Sequence, residues 1–85
     1  MENPGYHITE IKKAELGEIS KLQEELDELK DAHAQQCKIM ELVELSDLYG
    51  AIEQYLEKQH PGITMSDLAT MSNITKRAFL SGRRK

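Results

Sequence analysis

Eighty-five residues, 31% of them charged and 39% hydrophobic, leave room for one small domain with a modest core. Cys37 is the single cysteine, which excludes an intrachain disulfide and fits a reducing, cytoplasmic setting. The first twenty residues hold no apolar signal-type run, and no window approaches the ~18 apolar residues of a membrane span.

The net charge of −4 conceals an asymmetry. Residues 1–60 carry 6 Lys/Arg against 14 Asp/Glu, whereas residues 61–85 carry Lys76, Arg77, Arg83, Arg84 and Lys85 against Asp67 alone. An acidic body suits either a solvated surface or cation sites, and a basic end suits either a solvated tail or an anion-binding arm. A chain this short, without disulfides, is expected to draw its stability from helix packing, a metal and subunit association.

Residues 1–13 read as an irregular segment. Pro4-Gly5 is a breaker pair, and Tyr6-His7-Ile8-Thr9 has strand propensity without a partner. From Ala14 the pattern turns helical: Leu16, Ile19, Leu22, Leu26 and Leu29 form one apolar stripe, and Gly17 weakens the first turn. The polar run from Asp31 to Gln36 is expected to hold the turn. A second helix is predicted over 37–59, with Ile39, Leu42, Leu45, Ile52 and Leu56 on one stripe and Met40, Leu48, Ala51 and Tyr55 on the next. Together these cover more than half of the circumference, so the helix is expected to be buried on several sides, in a bundle or at a subunit interface. Gly50 in its middle costs about 1 kcal/mol relative to alanine, which a close helix–helix contact would explain.

His60-Pro61-Gly62 stops the second helix. Thr64 opens a third, with Asp67 three residues later as a variant capping box. Met65, Leu68, Met71, Ile74, Ala78 and Phe79 are its apolar positions, and Ser72-Asn73 is a candidate break. The expected architecture is all-α. A single helical domain spans 14–81, followed by a basic tail, 82–85. A compact hairpin plus third helix would complete a four-helix-type bundle by oligomerisation.

The acids carry the chemistry. Glu24-Glu25-Leu26-Asp27-Glu28 is an EExxE string on the first helix, and Glu44-Leu45-Ser46-Asp47 an ExxD string on the second. Residues three or four apart share a helix face, so Glu25 and Glu28 point one way, and so do Glu44 and Asp47. Glu44 is flanked on its own face by Met40, Leu48, Ala51 and Tyr55, where a carboxylate is expensive unless something neutralises it. Either string alone is an ordinary solvated acidic face, with Lys21 as an i, i+4 partner for Glu25. The pair, on helices joined by a short turn, would bring four carboxylates together, and a divalent cation with oxygen ligands resolves their repulsion.

EELDE, a 15-residue gap and ELSDLYGAIE resemble the paired motifs of the MazG-like all-α nucleoside triphosphate pyrophosphohydrolases. The likeness is best over residues 15–58, and MSNITKRAFLSGRRK is similar to the end of small single-domain members, including phage-encoded ones. The resemblance implies an enzyme in which water attacks the α-phosphorus of a nucleotide, releasing monophosphate and pyrophosphate. It implies Mg2+, with Mn2+ able to substitute, held by Glu25, Glu28, Glu44 and Asp47, with Glu24 as a further ligand or as the base positioning water. By the same resemblance Lys21, Lys76 and Arg77 would meet substrate phosphates, and the protein would be a homo-dimer or homo-tetramer. This chain lacks the longer segments that shape a base pocket in larger relatives.

His7, His33 and His60 have no metal-ligand spacing and are expected at the surface or in turns. Cys37 reads as a helix-start filler, and Tyr49 and Tyr55 as core or interface residues. One rival reading takes residues 63–84 as a helix-turn-helix, turning near Ser72-Asn73, on a dimerising hairpin. The acidic body opposes nucleic acid as a partner. A helical adaptor without catalysis is another, and both leave Glu44 unexplained.

Overall fold

The computed structural model describes residues 7–80, with side-chain surroundings as far as Arg77. Three α-helices follow one another: α1 (Ile19–Ala34), α2 (Lys38–Gln59) and α3 (Met65–Leu80). No strand occurs among the described residues, and no helix is long and apolar enough to cross a membrane.

α1 begins five residues later than the leucine spacing predicts, because the backbone turns first. Gly17 takes φ +91°, a left-handed conformation natural only to glycine, and the amides of Glu18 and Lys21 donate to the carbonyls of Glu15 and Glu18. At the other end α1 runs on through Asp31, which the sequence had placed in the turn. It closes with Gln36 at φ 57°, Gln36 N–H on His33 O at 2.9 Å and Cys37 N–H on Ala32 O at 3.4 Å. These two bonds satisfy carbonyls that the last helical turn leaves open.

α2 starts where expected, with Cys37 at its N-cap, and ends as His60 N–H reaches Leu56 O at 2.8 Å. The capping box of α3 forms in both directions: Thr64 N–H donates to Asp67 Oδ2 at 2.9 Å, and Asp67 N–H to Thr64 Oγ1 at 3.2 Å. α3 continues unbroken through Ser72 and Asn73, which are exposed and have no competing turn to form.

The three-residue connection makes α1 and α2 antiparallel neighbours, and their far ends are tied together. Gln59 Nε2 donates to Gly17 O at 3.1 Å, and Lys58 pairs with Glu18. Among the described residues α3 packs along neither helix, so the hairpin does not close into a compact three-helix unit. The radius of gyration is 15.3 Å, against about 12 Å for a compact chain of this length.

The interior is inverted relative to the leucine stripes. The buried hydrophobic side chains among the described residues are Ala32, Ala51 and Leu56, while Glu24, Glu25, Glu28, Asp31 and Glu44 are also buried. Leu16, Ile19 and Leu26 face solvent, as do Ile39 (75% exposed), Leu42 (67%), Val43, Leu45 and Tyr49. On α2 the inward side is mainly the second stripe, with Ala51 buried and Met40, Leu48 and Tyr55 half-buried around Glu44, joined near the end of the helix by Leu56 of the first. Among the described residues Gly50 makes no close approach: a methyl group added there would meet nothing within 4 Å beyond its own helix backbone.

Candidate metal centre

Two elements supply the centre. α1 presents Glu25 and Glu28 one turn apart, and α2 presents Glu44 and Asp47 one turn apart. One carboxylate oxygen from each of the four lies within 4.8 Å of all the others. Around a magnesium ion with bonds of about 2.1 Å, opposite oxygens stand about 4.2 Å apart, so this spacing is that of a cation-sized gap. Glu44 is fully buried, Glu25 and Glu28 nearly so, and Asp47 lies at the exposed mouth.

Carboxylates gathered in this way repel, and the side chains record it. Burial first, then the adjoining Glu44 and Glu25, push the Glu28 carboxyl up to about 8. Asp47 is likewise raised, by burial and then by the charges of Glu25 and Glu44. Glu25 Oε1 is buried without a hydrogen-bond partner, while its Oε2 takes Lys21 Nζ at 2.9 Å. An orphaned buried oxygen beside three other carboxylates is the observation that fits a hard, oxygen-seeking cation.

Lys21 sits in this centre. Burial alone would lower its ammonium; hydrogen bonds from it to Glu25 and Glu24 outweigh that and raise it. Glu24 lies beside the four-carboxylate group and has other work. Its Oε1 accepts Ala14 N–H at 2.8 Å and Lys21 Nζ at 3.1 Å, and Lys13 stands 3.6 Å from its Oε2. Burial pushes Glu24 up, but Lys21 and the Ala14 amide outweigh it and hold the carboxyl low. Lys13 also reaches Glu28, at 3.7 Å.

The segment before α1 runs back along its acidic face and is anchored by Asp31. Asp31 accepts Ile8 N–H at 3.2 Å, Thr9 N–H at 3.0 Å, Thr9 Oγ1 at 2.8 Å and Gln35 Nε2 at 2.8 Å. His7 Nδ1 lies 2.8 Å from Asp31 Oδ2, and His7 Nε2 lies 3.2 Å from Glu44 Oε2. Burial would push the Asp31 carboxyl up; the bonds from His7, Thr9, Gln35 and Ile8 outweigh it and hold it well below the usual range.

The geometry thus brings together Lys21, Glu25, Glu28, Glu44 and Asp47, with Glu24 adjoining. Lys76 and Arg77 are exposed on α3, which packs along neither helix of the hairpin, so the single chain does not bring them to the acids. Arg83, Arg84 and Lys85 lie outside the described residues. His33 and His60 are exposed, as expected, but His7 is not: its side chain is 9% exposed and wedged between Asp31 and Glu44. Sequence reasoning missed His7, Asp31 and Lys13. Asp31 had a signal, since Glu24, Glu28 and Asp31 recur at helical spacing as regularly as the leucines do. His7 had none, because its partners are 24 and more residues away. Comparison of the chain with known protein families, curated proteins and solved structures found no match.

Proposed function

We propose that this chain is a divalent-cation-dependent nucleoside triphosphate pyrophosphohydrolase of the MazG-like kind, working in the cytoplasm as a homo-oligomer. The observation that carries the reading is the meeting of Glu25, Glu28, Glu44 and Asp47 across two antiparallel helices, at cation-sized spacing. Glu44 supports it most, since a fully buried carboxylate beside three others is costly unless a cation offsets their charge. Bound there, Mg2+ or Mn2+ would activate water and screen phosphate charge. Asp47, at the mouth, is the ligand nearest to solvent and hence to an arriving substrate.

The chain's own residues have distinct roles in this scheme. Lys21 holds Glu24 and Glu25 in place and is the cation nearest to the carboxylates from which a phosphate would be met. Glu24 is a positioning residue, because its oxygens are already committed to Ala14, Lys21 and Lys13. Lys76 and Arg77 would reach a phosphate only from a second copy of the chain.

The inverted interior supports subunit association. Among the described residues, three buried hydrophobic side chains are a poor return for five buried acids, whereas Ile39, Leu42, Val43, Leu45 and Tyr49 stand exposed on the far side of α2. Each such side chain is worth roughly 1.5–3 kcal/mol when fully buried. Two hairpins joined by this face would form the four-helix bundle. The rival helix-turn-helix gains nothing, because α3 has no turn at Ser72-Asn73.

The test is pyrophosphate release from a panel of common and modified NTPs and dNTPs, with magnesium or EDTA, by the native chain and by Glu44→Gln. Metal-dependent release of monophosphate and pyrophosphate, abolished by the substitution, is the expected result. No turnover of any nucleotide, with no effect of metal on stability, would return the chain to the adaptor reading.

A further inference from the structure

The MazG-like reading uses oxygen ligands only, and the buried imidazole of His7 lies outside it. His7 is held from one side by Asp31, whose Oδ2 lies 2.8 Å from Nδ1, and Asp31 is itself fixed by Ile8, Thr9 and Gln35. Asp31 is buried, accepts four further hydrogen bonds and lies at the shorter distance, which favours a ring proton on Nδ1 over one on Nε2. The other nitrogen, Nε2, then faces inward, 3.2 Å from Glu44 Oε2 and grouped within 4.8 Å with oxygens of Glu28 and Glu44. A carboxylate holding Nδ1–H while Nε2 points at further acids is the arrangement in which proteins orient a histidine towards a metal.

We propose that His7 Nε2, Glu28 and Glu44 form a second divalent-cation position beside the four-carboxylate one, with Glu28 and Glu44 shared between the two. The inference rests on the metal-centre reading above and extends it. Two observations carry it independently of the acids as a cluster. One is the nine-tenths buried imidazole aimed at Glu44; the other is Glu25 Oε1, buried without a hydrogen-bond partner in the adjoining set. Paired cations in phosphoryl-group enzymes stand about 3.5–4 Å apart, and carboxylates common to both sets are what such spacing requires. The nitrogen donor gives this position its chemistry. Imidazole favours first-row transition ions over magnesium, so the second position takes Mn2+, Fe2+, Co2+ or Zn2+ where the first takes Mg2+. Asp31 is a positioning residue, acting through His7.

The experiment loads the full chain with Mn2+ alone and looks for 14N modulation in the electron spin echo, which reports a nitrogen bound directly to the ion and needs no enzymatic activity. Native protein is expected to show it, and His7→Asn, which keeps an amide for Asp31 but removes the ring nitrogen, is expected to lose it while retaining its helical circular dichroism. Should His7→Asn unfold, His7→Gln serves the same purpose. Asp47→Asn separates the two readings: it should weaken the four-carboxylate position and leave the nitrogen signal in place. Asp31→Asn should weaken the Mn2+ that gives the nitrogen signal by about 10–100-fold. Bound Mn2+ without 14N modulation in the native chain overturns the role of His7 and leaves the carboxylate centre standing. Modulation that survives in the His7 variants overturns it equally. Nitrogen modulation in a chain that hydrolyses no nucleotide would uphold the His7 position and overturn the pyrophosphohydrolase reading instead.

Discussion

Glu28 of α1 and Glu44 of α2 meet carboxyl to carboxyl across the helix pair, and without a cation between them Glu28 holds its proton more tightly than a free glutamate does. Burial and these neighbours raise Glu28 to about 8, well above the 4.5 of a free glutamate. An acid whose folded pKa is raised favours the fold while protonated. Its contribution is whole below about pH 4.5 and is lost as pH rises towards 8. Asp31 and Glu24, held low, act in the opposite sense and lose their contribution in acid. The metal-free protein should therefore have its highest thermal midpoint near pH 4–5 and soften steadily towards pH 8, followed by circular dichroism. Magnesium at pH 8 should restore the midpoint, since it takes the place of the proton. Glu28→Gln should flatten the alkaline limb, and a midpoint that climbs steadily from pH 5 to 8 would contradict the raised Glu28.

Lys21 bridges Glu24 and Glu25, and its side chain is only 18% exposed. Lys21→Met leaves two buried carboxylates without their nearest cation, a loss on the order of 1–3 kcal/mol. Denaturant titration should show that loss in EDTA and a smaller one in saturating Mg2+, because the metal then supplies the positive charge. In turnover the variant should raise KM for nucleotide more than it lowers kcat, as expected of a group that meets phosphate in ground and transition states alike.

Leu42 is 67% exposed on the face of α2 opposite Glu44. Leu42→Asp sets a charge where a second hairpin would pack, and light scattering should report a monomer in place of the native oligomer. The thermal midpoint of the native protein should rise with protein concentration, and that of the variant should not. A native chain that scatters as a monomer at every concentration would remove the four-helix assembly.

Gly17 needs its missing side chain. Its φ is +91°, and a Cβ there would stand 2.8 Å from Lys58 Cδ. The lysine stem can swing aside, but the left-handed backbone cannot be kept cheaply by alanine. Gly17→Ala should cost about 1–2 kcal/mol, read by denaturant titration, and should loosen the tie between the start of α1 and the end of α2.

The helices and the pairing of the acids were legible because both are local. Thr64 and Asp67 announce the start of α3, and Pro61-Gly62 the end of α2, within a few residues of each other. Glu25 with Glu28 and Glu44 with Asp47 follow from helix geometry and one short turn. What periodicity left open was which apolar face lies inside the chain. Leu26 and Leu42 have the periodicity of a core, but periodicity records only that a face avoids water, and a subunit face satisfies it as well as a core does. His7 was invisible because its place depends on Asp31, whose burial is itself a product of the chain folding back at Gly17.

Gly50 tests the same distinction from the other side. It lies about 80° round α2 from Leu42, on the exposed face with Ile39 and Val43, and nothing among the described residues stands within 4 Å of an added Cβ. Within a monomer, then, alanine should simply relieve the cost of a helical glycine, a gain of about 1 kcal/mol. In the assembled protein the missing side chain lets a second helix approach, and alanine should force the two apart. Gly50→Ala made in the Leu42→Asp monomer should therefore raise the thermal midpoint, whereas in the native background it should shift light scattering towards smaller species. A gain in both backgrounds would place Gly50 outside the subunit contact, and the four-helix packing would have to use the Leu45 side of α2 instead.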